Sequence, residues 1–408
     1  MFLCYFSEMP NSSYPEDEAL RRHPDDHPAR DPGDTVLLLS NKYFDRVKGA
    51  QLFSERFDQY RLAEAVGFDG VMTNEHHTAP FCMQTRCNIT SAVAAAITDR
   101  VKILQLGNPL PLWENPVQLA EEIAMLDLIS GGRIIAGMVR GGGTEQLANN
   151  FNPVFNRDRF VEAHDLIVKT WTQPGPFRWE GDNYQVRVVN PWVLPLQQPH
   201  PRIWVPGVTS KESIVFAAEH GYPYVCLSTT LEKTKQIWEL YDQVAQQVGF
   251  TAGPEHRGYL MRCHVADDEE TARRNAREFT WMQGEFTGVG KSVWTAPTAY
   301  STWEARQARV QHARYQDSFD LQVANGTIIY GTPDQVIVKI RRWLQETRPG
   351  MLMLWGSDGH VSQRDSMRCV ELLGTAVLPA VREIGAELGL LDPFECHAPV
   401  SVASPQPV

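Results

Sequence analysis

Short apolar segments alternate with longer amphipathic ones along most of this chain of 408 residues. The apolar runs have the length and composition of strands that are buried on both faces. Eight strands are predicted, at 2–6, 68–77, 101–107, 133–139, 202–206, 222–227, 259–265 and 351–355.

The amphipathic segments predict helices that lie between these strands. Residues 115–130 have the clearest boundaries, because Asn115 is a typical N-cap, Pro116 suits the first helical position and glycines follow at 131 and 132. The other helices are predicted at 52–66, 88–97, 157–171, 211–220, 232–248, 268–283, 333–344 and 366–384. Alternation of strand and helix with short junctions predicts an α/β fold, and eight strands favour a (β/α)8 TIM barrel over an open sheet.

Three segments interrupt this alternation and are expected to be insertions in a single barrel that spans residues 1–390, with the insertions at the mouth. They lie at about 10–48, 176–193 and 284–325. Within the second, Gly181 belongs to a turn between two short exposed strands, which predicts a hairpin. Long connections are usually functional lids or disordered, so the first and third are candidates to cover a site. The tail at 391–408 is expected to be disordered.

Composition and charge exclude several classes of partner. The formal net charge of -11 argues against binding to nucleic acid or to an anionic membrane. No apolar run reaches the length of a membrane span, and residues 1–10 lack the pattern of a signal peptide. The 7 cysteines have no regular spacing, so reduced thiols and a cytoplasmic location are expected.

Chemically active side chains follow the predicted strands, at the end where a barrel gathers its chemistry. Arg140 follows the fourth strand and Ser210 precedes a helix after the fifth, so a cation and a positive helix end favour an anion such as phosphate. An ordinary surface arginine and an ordinary N-cap are the alternative. His76 and His77, after the second strand, suit proton exchange, metal ligation or plain packing. No dinucleotide fingerprint or zinc motif is present, and no metal site is expected.

Several motifs in order are similar to those of the bacterial luciferase family of flavin-dependent monooxygenases. They stand at 67–69 before 75–77, at 115–117 with 126–127, at 132–133 and 137–141, at 217–223, at 240–241, at 331–334 and near 378–379. The resemblance implies a two-component monooxygenase that uses reduced FMN and O2, through a C4a-hydroperoxyflavin, to oxygenate a small organic substrate. It also implies a separate NAD(P)H:flavin reductase and a homodimer, or a heterodimer with a homologue.

The resemblance further assigns roles to residues. His76 matches the family's catalytic imidazole, and His77 lies beside it. Arg140 matches the arginine that binds the flavin phosphate, and either Arg157 or Arg159 would add a second cation. A cis peptide is implied within 108–110. The full set of cofactor-binding candidates is Glu75, Asn108, Pro109, Arg140, Gly141, Thr209, Ser210 and Ser213.

Two alternatives to the monooxygenase remain within the same fold. One is an F420-dependent oxidoreductase, and the other is a non-catalytic flavin-binding subunit. Val139 and Thr209 replace a cysteine and an acidic residue of the luciferases proper, and the connection at 10–48 is longer than theirs. These three differences argue against a long-chain aldehyde substrate.

Overall fold

Eight parallel strands close into a barrel in the computed structural model, which describes residues 1–13, 41–77, 80–279, 319–396 and 401–402. In chain order, β1 to β8 are Phe2–Phe6, Gly70–Thr73, Lys102–Gln105, Ile134–Val139, Arg202–Gly207, Tyr224–Leu227, Arg257–Val265 and Met351–Trp355. Neighbouring strands pair in parallel, β6 pairs with β7, and β8 pairs with both β7 and β1, which closes the ring. The predicted (β/α)8 barrel is confirmed.

Each barrel strand is apolar on both of its faces because it packs against two different layers. In β1, Phe2, Cys4 and Phe6 point into the barrel interior. Leu3 and Tyr5 point outward into the layer between the strands and the helices. This double burial explains why the strands are continuous apolar runs in the sequence and not alternating ones.

The helices pack around the outside of the barrel. Those of eight residues or more are α1 (Arg46–Ala65), α2 (Cys87–Ile97), α3 (Pro116–Ser130), α5 (Asn156–Thr172), α6 (Lys211–Glu219), α7 (Leu231–Gln247), α8 (Glu269–Phe279), α10 (Pro333–Thr347), α11 (Gln363–Leu372) and α12 (Leu378–Leu388). Shorter ones are α4 (Gly143–Ala148), α9 (Phe319–Ala324) and α13 (Pro393–Cys396). Asn115 caps α3 through its side chain, and Gly131 ends it with a left-handed φ of 67°, as its sequence predicts.

The predicted closing helix at 366–384 is longer and less regular than expected. It consists of α11, a π-helical turn at Leu373–Val377 and α12. A further strand, Ile328–Gly331, was not predicted and pairs with the end of β7 outside the ring.

The three predicted insertions differ in how much of each is described. Phe177–Glu180 pairs with Gln185–Val189 in an antiparallel hairpin, which confirms the prediction there. Residues 14–40 and 280–318, which hold most of the other two, lie outside the described residues, although Phe319–Ala324 is helical.

Part of the tail that was expected to be disordered is described. Pro393–Cys396 is helical, and Phe394 packs against Phe2 at a ring distance of 5.2 Å and against Trp204 at 6.3 Å. Phe2 opens β1 and Trp204 belongs to the interior core, so this contact lies at the end of the barrel opposite the mouth. Residues 397–400 and 403–408 lie outside the described residues.

All seven cysteines are among the described residues, and all are free thiols. Six are buried and Cys396 is exposed. Among the described helices, none combines the length and apolar composition needed to cross a bilayer.

Close contact between β3 and β4 requires glycine at position 137. A Cβ atom at Gly137 would lie 1.6 Å from the carbonyl oxygen of Gln105. A backbone carbonyl cannot swing aside as the end of a side chain can. The substitution would therefore separate two barrel strands just below the mouth.

We expect Gly137→Ala to lower the free energy of unfolding by about 3 kcal/mol or more, measured by urea denaturation. Gly49→Ala is the matched control, because its Cβ would meet only the ring tip of Phe44, which is 46% exposed. Since Gly49 lies inside α1, that variant should stay within about 1 kcal/mol of wild type or be more stable. Equal losses for both variants would contradict this account.

Candidate active site

The imidazole of His76 lies between two buried carboxyl groups at the barrel mouth. It follows β2, its Nδ1 is 2.9 Å from Oε1 of Glu145, and its Nε2 is 3.7 Å from Oε2 of Glu8. The first distance is a hydrogen bond and the second is not. Phe81 packs edge-on against the ring at a centroid distance of 5.2 Å. The His76 side chain is 20% exposed, so it reaches the open end of the barrel.

The two carboxyl groups respond differently to their surroundings. Burial raises the pKa of Glu145, but the hydrogen bond and the charge of His76 outweigh burial and leave it below its ordinary value. Burial raises the pKa of Glu8 to about 7, because the charge of His76 and the hydrogen bond from Asn74 offset it only in part. Burial lowers the pKa of His76, yet the bond to Glu145 and the neighbouring carboxylates raise it above its ordinary value.

Glu8 is fixed by contacts at the ends of three strands. Its backbone N–H donates to Asp358 Oδ2 at 2.8 Å, after β8. Ser7 and the Trp355 indole also donate to Asp358, at 2.7 and 2.6 Å. Asn74, after β2, donates its side-chain amide to Glu8 Oε2. The Glu8 carboxyl is therefore held beside His76 by the barrel itself.

A second group of contacts after β2 is formed by Glu75 and His77. Glu75 Oε1 accepts from Arg86 Nη1 at 2.7 Å and lies 3.2 Å from His77 Nε2. Its Oε2 accepts the backbone N–H of Cys87, the first residue of α2. The side chain of Glu75 is almost completely buried, so these contacts join the end of β2 to the start of α2.

Arg140 and the start of α6 meet on the other side of the mouth. Arg140 Nη2 donates to Ser210 Oγ at 2.6 Å, and Ser213 Oγ lies 3.3 Å from the same oxygen. Ser210 is the N-cap of α6 and also donates to the exposed Glu212 at 2.9 Å. Thr209 is exposed in the loop just before. The structure thus brings together the predicted cation and the predicted helix end.

Of the two arginines left open as a second cation, Arg157 is the one whose charge acts on Arg140. Burial lowers the pKa of Arg140, and the charge of Arg157 lowers it further while that of Glu212 opposes both. Arg159 is occupied elsewhere, since it donates to Trp113 O at 2.9 Å and to the Tyr184 hydroxyl at 3.1 Å.

Asn108 and Pro109 form a short parallel bridge with Met138 and Val139 of β4. The expected cis peptide within 108–110 is wrong: among the described residues, cis peptide bonds occur at Gly175-Pro176 and Gln198-Pro199. Pairing with β4 keeps this segment extended. Asn108 is fully buried, and a Cβ on Gly141, whose φ is 77°, would lie 3.1 Å from Pro109 Cβ.

The Arg140 side of the mouth has the features of a phosphate site. Arg140 Nε and the Tyr224 hydroxyl are buried and have no hydrogen-bond partner among the described residues. Gly207, at the end of β5, has no side chain, which lets the Tyr224 hydroxyl lie where it would clash with a Cβ. Donors without partners, a cation and a helix N-terminus together fit a flavin phosphate.

A short segment joins the two sides of the mouth. Arg140 and Glu145 are five residues apart, with α4 beginning between them. Gln146 donates to the carbonyl oxygens of Arg140 and Gly141 at 3.4 and 3.3 Å. The position of the imidazole therefore depends on the same segment that carries the cation.

One group of side chains among the described residues has the spacing of metal ligands, namely His164, Asp165 and His220. His220 precedes β6, whereas the mouth residues follow their strands, so this group lies away from the mouth. Both ring nitrogens of His164 already have partners, Asp165 at 2.9 Å and the Tyr222 hydroxyl at 3.0 Å.

Comparison with known proteins identifies the class. A model of the luciferase-like monooxygenase family matches residues 36–349, and the chain belongs to that family. The oxygenase component of a flavin-dependent trigonelline monooxygenase from Acinetobacter baylyi is 27% identical over 257 residues, which cover 62% of this chain and 70% of that protein.

Solved structures share the fold. The oxygenating constituent of 3,6-diketocamphane monooxygenase from Pseudomonas putida, a type II Baeyer-Villiger enzyme in complex with FMN, has a TM-score of 0.68 at 21% identity, over 87% of this chain and 96% of its own. An F420-dependent secondary alcohol dehydrogenase has a TM-score of 0.65 at 17% identity, over 93% and 99%.

Three residues of this site were not predicted from the sequence, namely Glu8, Glu145 and Tyr224. A signal existed for Glu8, because it follows the first predicted strand, whose end must also face the mouth of a barrel. Glu145 lies in a short helix that shows no period of its own. Tyr224 belongs to a strand and looks like an ordinary core residue.

We expect the stability of Glu8→Gln relative to wild type to depend on pH. Because the pKa of Glu8 is raised to about 7 in the folded protein, wild type loses stability as pH rises from about 4.5 to above 7, while the amide loses none. The free energy of unfolding of the variant should gain about 3 kcal/mol on wild type over that interval, by urea denaturation at each pH.

Glu121→Gln, on the exposed face of α3, is the control and should follow the wild-type curve. A constant difference between Glu8→Gln and wild type from pH 4.5 to 8 would contradict the raised pKa.

Proposed function

We propose that this protein is the oxygenase of a two-component system, which binds reduced FMN at the barrel mouth and oxygenates a small organic substrate with O2. The observation that carries the proposal is the pairing, at one mouth, of a phosphate-type site around Arg140 with an imidazole held between Glu8 and Glu145. The names of the relatives support it, since one is the oxygenase component of a flavin-dependent enzyme and one was solved with FMN.

Each side of the mouth has its own task in this proposal. Arg140, Ser210 and Ser213 would hold the phosphate, with Arg157 and Thr209 nearby. Asn108, Pro109 and Gly141 would form the wall between the phosphate and the imidazole. Bound reduced flavin supplies the reaction with oxygen. His76 holds a proton at its ring, and Glu75 and His77 fix the end of β2 on which it stands.

The chain would receive its flavin from a separate NAD(P)H:flavin reductase. A homodimer, or a heterodimer with a homologue, stays a prediction. An F420-dependent oxidoreductase is the second candidate, favoured by the likeness in fold to an F420-dependent alcohol dehydrogenase. Anaerobic binding distinguishes the two, because reduced FMN and reduced F420 can be titrated separately against the same protein.

We expect reduced FMN to bind, and Arg140→Ala to weaken that binding by roughly 10- to 100-fold through loss of a charge-assisted hydrogen bond. Glu212→Gln should tighten it, because the Glu212 carboxylate lies beside Ser210 and would repel the phosphate. Flavin fluorescence in an anaerobic titration measures both. Glu219→Gln, at the other end of α6, is the control. Binding of reduced F420 but not of reduced FMN would overturn the proposal.

We expect His76→Ala to lower the oxygenation rate by about 10² to 10⁴-fold, the usual contribution of a positioned acid or base. His77→Ala should lose roughly 10-fold or less, since its Nε2 lies 3.2 Å from Oε1 of Glu75, whose task in this proposal is to fix the end of β2. Incorporation of ¹⁸O from ¹⁸O2 into product measures the rate, and reduced-FMN affinity is the check on folding. An unchanged rate in His76→Ala would remove this residue from the mechanism.

A further inference from the structure

Glu8 is a buried carboxyl whose presence the proposed function does not explain. It is 7% exposed, lies at the end of β1 and faces the imidazole of His76. Burying a carboxyl group costs free energy because the group loses its hydration. Glu8 makes no contact with the Arg140 side of the mouth that would explain its burial, among the described residues. A role at His76 itself is the simplest reason for this position.

The two carboxyl groups beside His76 differ in geometry. Glu145 lies at hydrogen-bond distance from Nδ1, where it orients the ring. Glu8 lies 3.7 Å from Nε2, too far for a hydrogen bond but close enough for the charge of one group to act on the other. The barrel therefore supplies one carboxyl group that orients the imidazole through Nδ1 and another that lies beside its second nitrogen, Nε2.

Among the residues that the structure describes, a small set of charged and titratable groups surrounds the pair. Glu8 faces His76, Asp358 and Glu145, with the Cys82 thiol nearby. Arg56 lies 3.6 Å from Asp358 and offsets its negative charge.

His76 faces Glu145, Glu8 and Glu75, and Glu75 is paired with Arg86. Asp358 and Glu75 each lie beside an arginine, and among the described residues His76 is the basic group whose charge acts on Glu8.

We propose that Glu8 is a positioning residue that stores a proton for His76. The role in catalysis rests on the proposed function, whereas the coupling of the two groups does not. When Nε2 of the imidazole has given its proton to a basic atom of a ligand at the mouth, the Glu8 carboxyl moves within hydrogen-bond distance of Nε2, its O–H bond breaks and a new N–H bond forms at Nε2. Glu8 is left as a carboxylate, and a proton from solvent restores the acid.

Glu145 remains an anion throughout this exchange. It keeps its hydrogen bond to Nδ1, so the ring does not turn when Nε2 gains or loses a proton. Because the pKa of Glu8 is raised to about 7, both forms of the acid are populated near neutral pH, as a store requires.

The test is a titration of His76 by nuclear magnetic resonance, on protein labelled with ¹⁵N in its histidine rings, with His76→Gln used to assign the signal. In wild type we expect the His76 signal to show a second inflection near pH 7, from the ionisation of Glu8. Glu8→Gln, whose amide retains the contact with Asn74, should lose that inflection and shift the remaining one to lower pH. An inflection that persists in Glu8→Gln overturns the coupling.

A second variant keeps the test decisive if Glu8→Gln does not fold. Asn74→Ala removes the hydrogen bond that favours the ionised acid, so the inflection should move to higher pH. Glu121→Gln is the control and should leave both inflections in place. No movement in Asn74→Ala would count against Glu8 as their origin.

Turnover separates this proposal from the proposed function. In Glu8→Gln we expect kcat to fall by roughly 10-fold or more and to lose its inflection near pH 7, with the affinity for reduced FMN unchanged. Loss of the coupling without any change in the pH profile of kcat overturns the proton store and leaves the monooxygenase intact. Failure to bind either reduced cofactor overturns the proposed function, while the titration still decides the coupling.

Discussion

The hydrogen bond between His76 and Glu145 is the contact on which the arrangement of the mouth depends. It joins the end of β2 to the short helix after β4, across 69 residues of sequence. Burial alone would lower the pKa of His76 and raise that of Glu145, but the contact between the two groups outweighs burial in both. The imidazole thereby has one orientation before any ligand arrives.

That contact also links the two halves of the site. The segment that carries Glu145 begins at Arg140, whose guanidinium meets the N-terminus of α6. A movement of Arg140 would therefore also displace the imidazole, because five residues of backbone join Arg140 to Glu145. The rigid part of this connection is β4, which Gly137 allows to lie against the backbone of β3. The packing of β4 against β3 therefore also affects the positions of Arg140 and Glu145 at the mouth.

The sequence predicted the barrel because double burial makes each strand a short apolar run, and all eight strands lie at or near the predicted places. The hairpin and the limits of α3 were predicted from turn and cap residues, which act over a few positions. Glu8 and Asn74 are separated by 66 residues, and no local pattern announces such a contact. The prediction of a cis peptide within 108–110 was wrong, because pairing with β4 keeps residues 108–109 extended.

The difference between the two cations was also beyond reach of local pattern. Arg157 and Arg159 are two positions apart on α5 and therefore point in different directions. Only the packing of α5 against its neighbours shows that Arg159 donates to Trp113 and Tyr184, while the charge of Arg157 acts on Arg140. A family motif predicts the type of residue that a site needs, here an arginine. The fold determines which of two nearby arginines lies at the site.

The ring of Phe394 packs against Phe2 and Trp204 at the base of the barrel. Among the described residues, this aromatic group covers the base of the barrel, at the end opposite His76 and Arg140. A molecule that approached the interior core from below would have to displace Phe394.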